Sequence, residues 1–128
     1  MLQAMNTGHE GSLSSGHSNS AHDMVSRLET MVLSAAELPV AVVRQQISSA
    51  IDIFVHLSRL RDRSRRVMEI SEVAGLKDGE VILNPLYEFQ EAGEREGRVQ
   101  GGLLPCGNPL LHTTKLRMAG VNSYPLAQ

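Results

Sequence analysis

Residues 7–20 read Thr7-Gly8-His9-Glu10-Gly11-Ser12-Leu13-Ser14-Ser15-Gly16-His17-Ser18-Asn19-Ser20, the densest group of small and polar reactive side chains in this 128-residue sequence. Two histidines stand eight positions apart in the run, separated by glycines and hydroxyl side chains. Residues 12–17 alternate as a short strand would, although a glycine within them weakens that pattern. The chain after this run has the patterns expected of a scaffold around it, followed by a tail.

Two helices are predicted directly after the run. Ser20 is a favourable N-cap, and Asp23 three residues later completes a pattern like a capping box. The first helix is expected to extend to about Ala36, and its apolar stripe contains Met24, Leu28, Met31, Val32 and Ala35. The second is expected to open at Pro39 and to end near Ile51-Asp52. Its buried stripe is Val40, Val43, Ile47 and Ala50.

A β pattern follows the helices. Residues 53–58 and 67–73 alternate between apolar and polar side chains, and a turn at 61–64 separates them. Leu76-Lys77-Asp78-Gly79 is a second turn, and a third strand over residues 81–89 is interrupted at Asn84-Pro85. The sequence therefore predicts an α/β domain with two helices and an antiparallel β meander.

The composition changes after Gln90. Residues 91–102 are rich in glycine and charge, which is typical of a flexible connection. Apolar residues then return at helical spacing before Gly120, which predicts a short final helix. We accordingly divide the chain into a folded part, 1–90, and a flexible connection with a short C-terminal helix, 91–128.

Composition excludes several classes of protein. The single cysteine, Cys106, excludes an internal disulfide framework and fits a reducing compartment. No apolar run reaches the length of a membrane span, and the first six residues lack the pattern of a signal peptide. Those residues instead look like the end of a helix whose beginning is missing, so we expect the chain to be part of a longer protein. The net charge of −2 indicates no particular kind of partner.

The reactive groups of residues 7–20 allow several sites. The spacing of His9 and His17 matches no compact zinc pattern, so metal binding is not favoured. A serine hydrolase is not favoured either, because no G-x-S-x-G elbow is present. Backbone N–H groups and hydroxyls around Gly8, Gly11 and Ser12 can line an anion site. A ligand-free Gly/Ser-rich turn explains the same residue types equally well.

Five arginines cluster around the first strand turn: Arg59, Arg61, Arg63, Arg65 and Arg66. A solvated hairpin tip is the favoured interpretation. The functional alternative is a contact with anionic lipid, a partner protein or a neighbouring subunit's nucleotide. Aromatic residues are absent nearby, which argues against a stacking surface for single-stranded nucleic acid, and we expect no nucleic-acid partner.

Residues 2–20 resemble the histidine box of type II/type IV secretion ATPases, and the most similar branch is the CpaF-like ATPases of tight-adherence (Flp) pilus systems. The resemblance continues through five later stretches. These are Arg27-Leu28-Glu29-Thr30-Met31-Val32, Gln45-Gln46-Ile47 with Ala50-Ile51-Asp52, Ser58-Arg59-Leu60-Arg61-Asp62 with Ser64-Arg65-Arg66, Glu69-Ile70-Ser71-Glu72-Val73, and Leu104-Pro105-Cys106-Gly107-Asn108-Pro109.

The resemblance implies a fold and an activity. The family has a RecA-like α/β ATPase domain, assembled with other subunits as a homo-hexamer on the cytoplasmic side of the inner membrane. ATP hydrolysis with Mg²⁺ drives secretion or pilus assembly on an inner-membrane platform protein. The chain resembles the C-terminal part of that domain. Because it has no G-x-x-x-x-G-K-[ST] motif, ATP and Mg²⁺ are not expected to bind tightly to it alone.

Individual residues match positions of the family's motif. His9 and His17 match the box histidines, whose implied catalytic role is to sense the γ-phosphate or to position the attacking water. Gly8, Gly11 and Ser12 match small positions at the nucleotide. Arg27 matches an arginine of the following helix and is assigned to nucleotide binding, whereas no metal ligand is assigned.

Two positions depart from the family's pattern. The box usually reads Ser-Thr-x-His-Ala-Asn, with a β-branched or aliphatic residue before the histidine, where this chain has Gly16. In a buried strand the missing side chain would cost roughly 1–3 kcal/mol. Arg63 replaces a common turn glycine.

The interpretation is the C-terminal part of a CpaF-like secretion ATPase, contributing the histidine box and part of a subunit interface. The first alternative is a non-catalytic interaction module that docks on intact ATPase subunits. The second is an inert truncated gene product.

Overall fold

The structure, a computed structural model, describes Leu13, residues 15–35 and residues 37–121. It contains three helices and a four-stranded antiparallel sheet, which confirms the predicted α/β class. In chain order the elements are α1 (Ala21–Ala35), α2 (Val40–Ala50), β1 (Ile53–Arg59), β2 (Arg65–Lys77), β3 (Glu80–Arg95), β4 (Arg98–Pro105) and α3 (Thr114–Met118). The strands are ordered β1-β2-β3-β4. The described residues form two compact units.

The first unit comprises the residues up to Phe54 together with Val73–Leu83. Its core is a cluster of aliphatic side chains from α1 and α2: Leu28, Val43, Ile47 and Ala50. Phe54 and Val81 pack against this cluster. The predicted stripe of α2 is confirmed at Val43, Ile47 and Ala50, whereas Val40 remains 42% exposed.

Both helices begin at the predicted signals. The Ser20 hydroxyl accepts a hydrogen bond from the Asp23 N–H (3.0 Å), so Ser20 caps α1 as expected. The Pro39 carbonyl accepts hydrogen bonds from the N–H groups of Val42 (3.0 Å) and Val43 (3.2 Å) at the start of α2. Burial on α1 differs from the prediction, because Ala21 and Val25 join Leu28 inside while Met31 is 60% exposed.

The second unit comprises Val55–Glu72 together with the chain from Asn84 onward. Among its described residues, the buried apolar ones are Leu86 on β3 and Val99 on β4. The buried polar ones are Ser71 and Glu72 on β2. After β4, the Cys106 N–H donates to the Leu86 carbonyl (2.9 Å), which holds the chain close to β3. Within the described part of the chain, no helix has the length and hydropathy needed to cross a bilayer.

The predicted strand over residues 12–17 is wrong in its described part. Leu13 and residues 15–17 have no regular secondary structure and are exposed. A strand is stable only when its backbone groups pair with a neighbour, and the described sheet contains β1–β4 alone. Gly16 is exposed and does not lie in a buried strand, so the packing cost expected from it does not apply.

The flexible connection expected over residues 91–102 is also wrong. Residue 91 lies within β3, and the chain returns as β4, pairing Arg95 with Arg98 and Tyr87 with Pro105. Glu96 and Gly97 both have positive φ (54° and 74°), the geometry of a tight type I′ turn. Nor is β3 interrupted at Pro85, since proline's φ is compatible with a strand. The short final helix is confirmed as Thr114–Met118, whereas the domain division at residue 90 stays a prediction.

Candidate functional site

The described part of the predicted box lies directly before α1. His17 is exposed, and the Ser18 hydroxyl donates to the Ser20 carbonyl at 2.9 Å. Ser20 itself caps α1, so a local network ties this segment to the start of the helix. The imidazole of His17 is therefore presented to solvent on a segment whose downstream end is fixed.

The other predicted residues divide into two groups. His9, Gly8, Gly11 and Ser12 lie outside the described residues, and their roles stay predictions. Arg27 is described and lies exposed on α1. No hydrogen bond or ion pair between described residues joins it to His17. Two cationic or proton-donating side chains, one imidazole and one guanidinium, are thus accessible on the same stretch of chain.

Gly16 approaches α1 closely although it is exposed. A Cβ atom at this position would lie 2.3 Å from Cε of Met24, whose side chain packs against the helical core. The obstacle is the end of a flexible side chain, so a larger residue here would displace Met24 rather than the backbone. The departure at Gly16 from the usual box pattern therefore affects how the segment before α1 rests on the helix.

Arg44 connects three parts of the first unit. Its Nε donates to Glu29 Oε1 at 3.0 Å, and its Nη1 donates to the Gly79 carbonyl at 3.2 Å. The Arg44 side chain is half-buried. The guanidinium fixes α2 to α1 and to the turn between β2 and β3.

The arginine cluster is only partly a solvated hairpin tip. Arg61 forms ion pairs with two carboxylates of β3, Glu91 and Glu94, the latter at 2.8 Å. Both carboxylates raise the pKa of the Arg61 guanidinium. Arg66 donates to the Val99 carbonyl at 3.3 Å, and its guanidinium carbon lies 5.8 Å from the centre of the Phe89 ring. Two of the five arginines are thus engaged within the second unit.

Asp62 organises the turn that carries this cluster. Its Oδ1 accepts hydrogen bonds from the N–H (2.9 Å) and hydroxyl of Ser64, and its Oδ2 accepts one from the Val99 N–H at 2.8 Å. These hydrogen bonds lower the pKa of Asp62 to about 2, and the bond from the Ser64 hydroxyl contributes most to the shift. The carboxylate therefore joins the turn before β2 to the start of β4.

Glu72 organises the other end of the second unit. Its Oε1 accepts hydrogen bonds from Asn84 Nδ2 (3.0 Å) and the Leu111 N–H (2.8 Å), and its Oε2 accepts one from the His112 N–H (2.8 Å). Asn84 Nδ2 also donates to the Pro109 carbonyl at 3.0 Å. Glu72 is only 2% exposed, so these bonds replace its hydration.

Sequence reasoning missed the roles of Asp62 and Glu72. For Asp62 a signal was present, since Asp-x-Ser in a turn is typical of a side chain that bonds the backbone two residues on. For Glu72 no local signal identifies partners that lie 12 to 40 residues away. No group of three or more His, Cys, Asp or Glu side chains in the described ranges could hold a metal ion.

Comparison with known proteins assigns a family. The sequence model of the type II/IV secretion system protein family matches residues 1–95. A probable conjugal transfer protein TrbB of Sinorhizobium fredii is 33% identical over 95 residues, covering 74% of this chain and 28% of that protein. The conjugal transfer protein TrbB of Rhizobium radiobacter is 32% identical over 91 residues, covering 71% and 27%. A putative conjugal transfer protein of Mycobacterium tuberculosis, Rv3659c, is 32% identical over 71 residues, covering 56% and 20%.

The chain spans between a fifth and three tenths of the length of these curated relatives. The family match includes the whole of residues 7–20, both helices of the first unit and the strands up to Arg95. By the extent of the family match, this chain belongs to the type II/IV secretion system protein family.

Proposed function

We propose that the chain is the C-terminal part of a secretion ATPase domain and contributes the histidine box and part of a subunit interface to an assembled enzyme. The observation that carries the proposal is the family match over residues 1–95, which includes every predicted site residue. In the complete enzyme, ATP hydrolysis would drive type II/IV secretion from the cytoplasmic side of the inner membrane. Other ATPase subunits, arranged as a homo-hexamer, and an inner-membrane platform protein would be its partners.

The biological setting is part of the proposal. The names of the curated relatives support conjugal transfer. The resemblance of residues 2–20 to CpaF-like proteins supports assembly of a Flp pilus instead. Both settings assign the same role to this segment, which is to complete a nucleotide site whose phosphate-binding loop lies elsewhere in the enzyme.

The described residues suit part of a nucleotide site. His17 and Arg27 are exposed donors, and both side chains can contact phosphate oxygens. A phosphate-binding lysine in a glycine-rich loop is missing from the sequence. Mg²⁺ would supply charge neutralisation at the phosphates, but the described residues provide no carboxylate set for it. We therefore expect this chain to supply donors at the phosphates without forming a complete pocket.

The proposal that this chain supplies only part of a nucleotide site can be tested with the purified chain. We expect no Mg²⁺-dependent ATP turnover and no Mg²⁺-dependent binding of a fluorescent ATP analogue, because the cradle for the phosphates is missing. Magnesium-dependent ATP turnover by the unaltered chain and by His22→Ala, but not by His17→Ala, would contradict the proposal that the chain supplies only part of a nucleotide site. His22 is a suitable control because it is an exposed histidine on the adjacent helix α1.

A second candidate is a non-catalytic module that docks on intact ATPase subunits. The exposed apolar side chains of the helix pair, Met31, Val40 and Val42, favour this alternative because they could face a partner. The module would co-purify with a full-length relative without changing which residues that relative needs for hydrolysis. An inert product would not co-purify at all.

A further inference from the structure

The chain beyond β4 is fastened to the second unit by hydrogen bonds. We call residues 108–118 the terminal strap. Asn108 Nδ2 donates to the Pro85 carbonyl at 2.7 Å, and the Pro109 carbonyl accepts from Asn84 Nδ2 at 3.0 Å. No residue of the strap is buried, and α3 at its end contributes nothing to the core. The strap is therefore attached without an apolar anchor of its own.

Glu72 supplies the strongest of these attachments. Its carboxylate accepts hydrogen bonds from the Leu111 and His112 N–H groups, each at 2.8 Å. Bonds to a charged acceptor are stronger than bonds between neutral groups, and a side chain only 2% exposed has lost the water that would replace them. Release of the strap leaves this carboxylate short of two donors. We call Glu72 and Asn84 the strap dock.

The strap begins where the backbone can change direction. Gly107 has φ of 85°, a conformation that glycine adopts readily and other residues disfavour. A Cβ there would meet nothing within 4 Å, so no neighbour restricts this point of the chain. Directly before it, the Cys106 N–H donates to the Leu86 carbonyl at 2.9 Å. Residues 108–118 can therefore leave the dock while β4 keeps its place in the sheet.

Exposed apolar side chains accompany the strap. Leu111 and Met118 within it, and Leu104 at the end of β4, are each more than half exposed. Apolar side chains of this size are stabilised when another surface covers them. A strap seated in the dock of its own chain leaves them in water, so closure within one chain does not bury the apolar part of this segment.

The dock specifies the chemistry of its occupant. It binds a carbonyl that is followed two residues later by two successive backbone N–H groups. An amide side chain stands one residue before that carbonyl and binds beside the dock. The segment Asn108-Pro109-Leu110-Leu111-His112 has all of these groups, and every copy of the chain carries it. Exchange between two copies re-forms the same hydrogen bonds and places two straps, with their exposed apolar side chains, at one interface.

We propose that two copies of this chain exchange terminal straps, so that the strap of each copy binds Glu72 and Asn84 of the other. The family match ends at residue 95, before the strap, and the exchange uses no residue of the histidine box. It does not depend on the proposed function, and it is tested without nucleotide.

The test uses two variants that are defective on opposite sides of this contact. Glu72→Gln impairs the dock and keeps the strap, whereas Leu111→Pro removes a strap N–H and keeps the dock. In sedimentation velocity we expect the unaltered chain to dimerise as its concentration rises. Each variant alone should have a dimer dissociation constant at least about tenfold higher. An equimolar mixture of the two should dimerise again, because the strap of one fits the dock of the other.

Amide exchange locates the contact. When the Glu72→Gln chain is isotopically labelled, exchange at its Leu111 and His112 amides should slow on addition of the unlabelled Leu111→Pro chain. Leu110→Pro is the matched control, because the dock does not bind the Leu110 N–H. Docks of the control chain are already filled by straps, so the control should protect the labelled amides far less.

A mixture that stays monomeric, with unprotected Leu111 and His112 amides, would overturn the proposal. Dimerisation of both variants alone, as strong as that of the unaltered chain, would overturn it in favour of an interface elsewhere. Circular dichroism shows whether each variant is folded. His112→Pro removes the other strap N–H and provides a second strap variant, which the Glu72→Gln chain should complement in the same way.

Discussion

The carboxylate of Glu72 accepts a hydrogen bond from the backbone N–H of His112, 40 residues further along the chain, at 2.8 Å. The other carboxylate oxygen accepts from the Leu111 N–H at 2.8 Å. A buried carboxylate thus anchors the segment between β4 and α3. Since the charge is removed from water, its hydrogen bonds are needed to offset the loss of hydration.

Glu72→Gln should release this segment. The amide presents an NH₂ group where one carboxylate oxygen accepted a bond, so a buried N–H donor would face another donor. We expect a loss of roughly 2–4 kcal/mol in the free energy of unfolding, measured by urea denaturation. Amide exchange at Leu111 and His112 should accelerate. Glu88→Gln, at an exposed position on β3, serves as the control. Unchanged exchange at both amides would contradict the anchoring role.

Gly101→Ala should destabilise the hairpin of β3 and β4. A Cβ at Gly101 would lie 2.3 Å from the Gln90 carbonyl oxygen, and this backbone neighbour cannot move aside without breaking the strand pairing. We expect a loss of about 1–3 kcal/mol, seen as a lower melting temperature. Gly102→Ala is the matched control, because a Cβ there would meet nothing within 4 Å. Equal melting temperatures for the two variants would refute the close approach.

Arg63→Gly should stabilise the turn between β1 and β2. Arg63 has φ of 70°, a left-handed conformation that costs non-glycine residues about 1–2 kcal/mol. Glycine's greater freedom in the unfolded chain offsets part of that gain, so we expect a net stabilisation of about 0.5–1 kcal/mol by urea denaturation. Arg65→Gly removes the same charge within β2 and should destabilise the fold. Destabilisation by both changes would show that Arg63 is not strained.

Asp62 predicts a specific dependence of stability on pH. Its pKa in the folded chain is about 2, below the ordinary value of 3.8. A lowered folded pKa stabilises the fold above pH about 4, and that contribution disappears as the pH falls toward 2. The free energy of unfolding of Asp62→Asn should therefore approach that of the unaltered chain in this acidic window. An NMR titration of the Asp62 carboxyl carbon with its midpoint near 3.8 would contradict the hydrogen bonds to Ser64 and Val99.

Local signals predicted part of this fold. The start of α1 was predicted at Ser20, because a hydroxyl before a segment with helical apolar spacing can accept hydrogen bonds from the first N–H groups of a helix. The Ser20 hydroxyl does accept one from Asp23. Asp78-Gly79 formed the predicted turn between β2 and β3, with φ of 53° and 81°, because this pair adopts left-handed conformations readily. The core positions Val43 and Ile47 followed from helical spacing, and both are completely buried.

Other features depend on contacts between distant residues. The glycine and charge of residues 91–102 predicted a flexible connection, yet Glu91 and Glu94 are paired with Arg61, about thirty positions earlier. The pairing of β3 with β4 supplies the backbone bonds that composition could not indicate. Likewise the N–H groups of Leu111 and His112 bond Glu72 across 39 and 40 residues, a contact that local sequence does not indicate. Of the candidate site, only His17 and Arg27 are described, and both are exposed as contacts to a ligand would require.

We propose above that residues 1–95 complete the nucleotide site of a secretion ATPase through His17. The most direct measurement is ATP hydrolysis by a chimera in which this segment replaces the matching part of the Sinorhizobium fredii relative. Binding of an ATP analogue by the chimera is measured alongside, to show that it folds. We predict that His17→Ala lowers turnover by about a hundredfold while analogue binding persists, and that His22→Ala leaves turnover unchanged. A chimera that binds the analogue and hydrolyses ATP equally well with either substitution would contradict the claim.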